Sequence, residues 1–144
     1  MTDLAIEARA LSKRFGAKWA VRSLDLSVRR GEVFGFLGPN GAGKSTSVKA
    51  LLGLVRASGG SALVLGSPAG DTVARRKIGF LPEHFAFHDW LTGDELLQLH
   101  GRLYGMTRPA LQARIEFLLG AVGMMPHRRR KVTDYSKCMT QRIG

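Results

Sequence analysis

An α/β fold is predicted by three features of this 144-residue chain. A glycine-rich loop lies between an apolar run and a helical pattern, alternating apolar segments flank a turn before it, and two helical stripes follow it. The loop is Gly38-Pro39-Asn40-Gly41-Ala42-Gly43-Lys44-Ser45-Thr46, which has the form G-x-x-x-x-G-K-[ST]. Val33-Phe34-Gly35-Phe36-Leu37 reads as a buried strand running into it, and Ser47-Val48-Lys49-Ala50-Leu51-Leu52 as the helix leaving it. By composition alone such a loop would turn up by chance in roughly one chain of this length in a few hundred.

The loop's chemistry follows from its residue types. Glycines let the backbone turn tightly enough that the N–H groups of Gly41 to Thr46 are expected to converge on phosphate oxygens. Lys44 adds positive charge for the β- and γ-phosphates, and the Ser45 hydroxyl is placed to ligate Mg²⁺, a hard cation that prefers oxygen. The helix starting near Lys44 offers its positive end to the anion. The expected architecture is therefore a P-loop NTPase core with an N-terminal antiparallel β layer and a helical subdomain.

Each remaining element has its own signal. Leu4, Ile6 and Ala8 alternate with Ala5, Glu7 and Arg9, and Leu24, Leu26 and Val28 alternate with Asp25 and Ser27, predicting two half-buried strands. Lys13 to Trp19 is expected to be the turn between them, carrying Phe15 and Trp19, and Arg29-Arg30-Gly31 a second turn. Ser61 to Leu65 reads as a short strand between loops, and Lys77-Ile78-Gly79-Phe80-Leu81 as another, stopped by Pro82. Thr92-Gly93-Asp94-Glu95 has capping-box form ahead of Leu96, Leu97, Leu99, Leu103 and Tyr104. Thr107 with Pro109 opens a second helix with Leu111, Ile115, Leu118, Leu119 and Val122 on one face. Those stripes read as core, which makes a helical hairpin.

Composition narrows the classes. The chain is 44% hydrophobic and 8% aromatic, a globular balance, and contains no apolar run of membrane-spanning length. Met1-Thr2-Asp3-Leu4 lacks the basic region of a secretory signal, so a cytoplasmic location is expected. Cys138 alone makes no internal disulfide, and of four histidines only His84 and His88 share a helical spacing, with no nearby Cys or Glu at ligand spacing. The net charge of +11 suits nucleic acid, an anionic membrane face or an acidic partner without choosing among them. The dense run Arg128-Arg129-Arg130-Lys131 reads as a solvated loop.

In this order the pieces resemble the nucleotide-binding domain of ATP-binding cassette (ABC) transporters, from the first strand to the last residue. Phe15, in Lys13-Arg14-Phe15-Gly16, falls where that family places the ring that stacks on adenine, with Trp19 as a competitor. The phosphate loop matches in full. Ile78-Gly79-Phe80-Leu81-Pro82-Glu83 is similar to the family's Q-loop with glutamate for glutamine, and either residue has an oxygen for Mg²⁺ or its water. Tyr135-Ser136-Lys137-Cys138-Met139-Thr140-Gln141-Arg142 is similar to the signature motif in the Ser-Lys-Gly-Met form of exporter-type cassettes. The resemblance implies that Ser136, Lys137, Cys138, Met139 and Gln141 are signature residues, and that Ser136 and the backbone at Cys138 contact the γ-phosphate of ATP held by a second cassette, in a homo- or heterodimer. It also implies domains at 1–83 (antiparallel layer and P-loop core) and 84–144 (helical subdomain ending in the signature). Further implications are ATP and Mg²⁺ as ligands, a transmembrane permease subunit as partner, and a peripheral position on the cytoplasmic face of the membrane.

Two departures qualify that expectation. Cys138 stands where the family has glycine, and its side chain crowds a position where backbone approaches ligand, so a weakened signature contact is expected. If so, Cys138→Gly strengthens ATP-driven dimerisation of the intact protein; unchanged dimerisation would refute it. None of the eleven acids follows an apolar strand, so the Walker B aspartate and the water-activating glutamate are missing, as is the switch histidine. The chain is therefore expected to be the front of a cassette, lacking the C-terminal part of the parallel sheet. It should bind MgATP without hydrolysing it. A soluble cassette acting on nucleic acid, and a non-catalytic remnant, are the alternatives; no nucleic-acid motif supports the first.

Overall fold

The computed structural model describes residues 3–82 and 87–144, in two compact units, residues 1–79 and 80–144. The first is built on two long strands, β1 (Leu4–Phe15) and β2 (Lys18–Arg29), joined by a tight turn at Gly16-Ala17. Gly16 has φ 54°, a conformation that glycine adopts without a Cβ penalty. The strands therefore run closer to the turn than the sequence suggested, and Phe15 pairs with Lys18 at their ends.

β1 is central: it pairs antiparallel with β2 on one side and with β3 (Gly59–Val64) on the other, and β3 pairs with the two-residue β4 (Ser67–Pro68). Ala8 and Leu11 are both buried although they are three apart, a spacing that points to opposite faces in a regular strand. The ladder shifts register between them, and Ala10 takes φ 47°, which returns Leu11 to the core face. Side chains replace the lost ladder bonds. Asp25 Oδ1 accepts from Ala10 N at 2.8 Å, while Ser12 Oγ donates to Ala10 O at 2.9 Å and accepts from Ser23 N at 2.9 Å. On the apolar face, helix α1 (Lys44–Leu51) places Ala50 and Leu51 against Ala8, Leu11, Ala62 and Val64. The short helix α2 (Thr72–Arg75) is capped by Asp71, whose carboxylate accepts from Val73 N and Ala74 N.

Two predicted strands do not form. Residues 33–37 carry no strand, with Val33 fully exposed and Leu37 91% exposed, and residues 77–81 follow α2 without entering a ladder. A parallel strand exists through its neighbours' hydrogen bonds, and among the described residues neither segment has a partner; the one sheet is antiparallel throughout. Apolar composition alone did not supply that partner.

The second unit is helical. α3 (Gly93–Leu103) opens with the predicted capping box: Thr92 Oγ1 accepts from Glu95 N, and the Glu95 carboxylate accepts from Thr92 N at 2.8 Å. α4 (Arg108–Ala121) starts after Thr107 with Pro109 in its first turn, although the Thr107 side chain makes no capping bond. The hairpin closes where Gly101 meets the Leu111 side chain, a contact that a Cβ would block. Leu96, Ile115, Leu119 and Met124 are fully buried in the core, each contributing ~2 kcal/mol of transfer free energy. Leu103 does not join them. It lies ~200° around the helix from Gly101, so the Gly101 contact turns it outward, and it is 77% exposed.

The basic run is clipped to the start of α3 through its backbone and Arg128, while the Arg129, Arg130 and Lys131 side chains stay exposed as a solvated loop would have them. Arg128 O and Arg130 O accept from Asp94 N and Gly93 N, Thr92 bridges Lys131, and the Arg128 guanidinium binds Asp94 Oδ1 at 2.8 Å. Tyr135 is buried beside it, donates from its hydroxyl to His127 O at 2.9 Å, and burial pushes its phenol pKa up. The helix α5 (Lys137–Ile143) then completes the core through Ile143.

Candidate functional site

The phosphate loop is shaped by glycine. Gly38, Gly41 and Gly43 have φ of 157°, 85° and 89°, and Gly43 is the left-handed N-cap of α1. A Cβ at Gly43 would strike the backbone oxygen of Ala20. This contact brings β2, one residue beyond Trp19, directly against the loop. It is the link between the hairpin and the phosphate loop that no local pattern in the sequence announces.

At the start of α1 no side chain caps the helix, and no acidic residue occupies its first turn. Its opening N–H groups thus keep their partial positive charge for an anion. The expected fan of amides is one short, because Ala42 N donates to Pro39 O at 3.2 Å within the loop. Lys44 is half-buried and curls back, its ammonium donating to Gly38 O at 2.5 Å and Pro39 O at 2.8 Å. A phosphate would exchange those neutral acceptors for anionic oxygens, which make the stronger charge-assisted bonds. Ser45 is exposed and Thr46 half-buried, so the Ser45 hydroxyl faces outward from the helix start. Behind them Ser47 is buried and donates to Gly43 O at 3.0 Å, anchoring the loop to the helix.

These residues fit a nucleotide with Mg²⁺. Among the described residues there is no cluster of three His, Cys, Asp or Glu side chains that would cage a metal. The exposed Ser45 hydroxyl is one oxygen that Mg²⁺ could take, since that ion uses few protein ligands and completes its shell with phosphate oxygens and water.

The aromatic pair sits at the turn end of the hairpin. Phe15 is 52% exposed, with the Lys13 ammonium 4.7 Å from its ring centroid. Trp19 is less exposed and carries two guanidinium groups, from Arg14 at 5.5 Å and Arg22 at 5.9 Å. Glu83 lies outside the described residues.

In the second unit, Ser136 is the N-cap of α5, its Oγ accepting from Met139 N at 3.3 Å. Cys138 and Lys137 are exposed on the first turn, Gln141 is half-buried, and Met139 packs against the helical core. The cysteine side chain therefore meets solvent rather than its own fold.

A glycine-walled loop, a lysine and a hydroxyl at an uncapped helix start define a P-loop nucleotide-binding protein. Residues 21–144 match the ABC transporter family, and the chain belongs to it as an ATP-binding cassette sequence. It is 42% identical over 127 residues, 87% of its length, to an uncharacterized ABC transporter ATP-binding protein of Synechocystis. It is 36% identical over 141 residues, 96% of its length, to the linearmycin resistance ATP-binding protein LnrL of Bacillus subtilis. These alignments cover 36% and 45% of the relatives, so the chain spans less than half the length of either. A solved ATP-binding subunit of an ABC transporter superposes with TM-score 0.81 at 28% identity, over 96% of this chain and 59% of that one.

Proposed function

We propose that the Gly38–Thr46 loop binds MgATP and that the chain serves in an ATP-binding subunit of an ABC transporter that couples ATP binding and hydrolysis to export. The observation that carries this reading is the uncapped, acid-free start of α1 facing a loop with Lys44 poised on neutral carbonyls. Lys44 and the free loop amides take the phosphates, Ser45 offers its hydroxyl to Mg²⁺, and Phe15 offers a ring to the base. Bound Mg²⁺ neutralises phosphate charge. Phe15 is favoured over Trp19 because its ring is more open and faces one cation rather than two.

Glu83 is proposed as a further oxygen near the metal. Ser136, Lys137, Cys138 and Gln141 are proposed to form the surface offered to ATP on a second cassette, with Met139 anchoring that turn to the helical core. A transmembrane permease subunit is the proposed partner and the cytoplasmic membrane face the proposed location; no helix among the described residues is long and apolar enough to cross a membrane. The resistance named for the Bacillus relative fits outward movement of a compound. Hydrolysis needs an oriented water as well as neutralised charge. With none of the eleven acids placed after an apolar strand, residues 1–144 are proposed to hold MgATP without turnover.

Equilibrium binding of MgATP tests the reading. Lys44→Ala is expected to weaken affinity by about two orders of magnitude, the loss of a charged hydrogen-bond donor worth roughly 3 kcal/mol. Unchanged affinity, or steady hydrolysis by the parent chain that Lys44→Ala abolishes, would overturn the corresponding half of the proposal.

A further inference from the structure

Lys13 is half-buried at the end of β1, opposite Val21 in the ladder. Its ammonium makes two contacts that no sequence pattern foretells. It donates to the backbone oxygen of Arg56 at 2.8 Å, and it lies 4.7 Å from the centroid of the Phe15 ring. Arg56 lies five residues beyond the end of α1, the helix that starts in the phosphate loop. The neighbouring backbone is fastened to the same region, because Arg14 N donates to Ser58 Oγ at 3.1 Å and Ser58 N to Ser12 O at 2.8 Å.

We propose that Lys13 is a positioning residue for the nucleotide base: held by the Arg56 carbonyl, its ammonium covers one face of Phe15 and reserves the other for a purine. This rests on the reading of Phe15 given above. A cation over an aromatic face draws the π density toward itself. The opposite face becomes less negative and meets an electron-rich base with less repulsion, which favours stacking. The tether also removes rotational freedom from an exposed ring before the ligand arrives, so less ordering cost falls on binding. Because Arg56 follows α1, the base subsite and the phosphate subsite are set by one short stretch of chain. A phosphate chain without a base should not sense Lys13 at all.

That contrast supplies the test. The affinities of MgATP and of magnesium tripolyphosphate are measured for the parent 144-residue chain, Lys13→Met, Lys13→Arg and Phe15→Leu. Methionine keeps the aliphatic stem and removes both the charge and the donor; arginine keeps both. The expected result is that Lys13→Met loses about threefold to fivefold in the ratio of MgATP to tripolyphosphate affinity, the scale of the ordering cost of one side chain that the tether removes. Tripolyphosphate binding itself should stay within about twofold, and Lys13→Arg should restore the ratio. If Lys13→Met weakens both ligands equally, Lys13 is merely structural and the proposal fails. If Phe15→Leu collapses the ratio while Lys13→Met leaves it intact, the Lys13 role alone is overturned. If Phe15→Leu leaves the ratio intact, the reading of Phe15 fails, and this proposal with it.

Discussion

Substituting Gly43 with alanine tests whether the phosphate loop and the β hairpin are held by a backbone contact rather than by the loop sequence alone. Two costs add at this position. The φ of 89° is strained for any residue with a Cβ, at about 1–2 kcal/mol. The added methyl would also strike the Ala20 oxygen and press Val21 Cγ2 at 3.2 Å, so backbone must move, at about 1–3 kcal/mol. The sum is about 2–5 kcal/mol. Gly41→Ala is the control: its φ is 85°, but a Cβ there meets nothing within 4 Å, so only the first cost, about 1–2 kcal/mol, applies. Amide hydrogen exchange at Val21 in β2 and at Ser47, whose N–H bonds Gly43 O at 2.8 Å, reports the local opening free energy. Gly43→Ala should lower protection at both sites, whereas Gly41→Ala should leave Val21 near its parent value. Equal effects of the two substitutions at Val21, to within about 0.5 kcal/mol, would refute the claim that the Gly43–Ala20 contact joins hairpin to loop.

Two further predictions concern the helical unit. The Arg128–Asp94 pair is 25% and 21% exposed and bonds through two guanidinium nitrogens, so a double-mutant cycle with alanine at each position should give a coupling of about 0.5–1.5 kcal/mol in denaturant unfolding. A coupling of zero would mean that the basic run behaves as a solvated loop after all. The carboxyl of Glu95 is held below its ordinary value of 4.5, first by the Thr92 backbone N–H and then by the Thr92 hydroxyl. A depressed carboxyl pKa means stabilisation that is present above 4.5 and lost as pH falls through the lower folded value. Exchange protection in the first turn of α3 should therefore fall with acid in that window. In Glu95→Gln that pH dependence should disappear; if it persists, another group governs the turn.

Local chemistry was legible where one segment satisfies its own needs. The capping box at Thr92 and Glu95 closes within four residues, and the helix start at Lys44 is set by the residues beside it. The conformation of the Gly38–Thr46 loop was readable for the same reason: its glycines take the positive φ values of a tight turn, and the helix follows directly at Lys44. What failed were the two apolar segments at 33–37 and 77–81. Their residue types are those of buried strands, but a strand needs a ladder partner distant in sequence, and periodicity carries no information about whether one exists. Arg128 was misread in the mirror-image way, since a run of like charges hides the single distant carboxylate that turns it into a clip.

The amino-acid order by itself thus determined that a tight glycine-rich turn lies at Gly38–Thr46, where the helices begin, and that a hairpin precedes them, because these depend on torsion preferences and on bonds between near neighbours. Tertiary structure alone decided that Gly43 abuts Ala20, that the Ala10 bulge returns Leu11 to the core, and that the Arg56 carbonyl holds the Lys13 ammonium over Phe15. Each of those joins residues separated along the chain, through contacts whose energy exists only once the sheet and α1 have closed around a shared core.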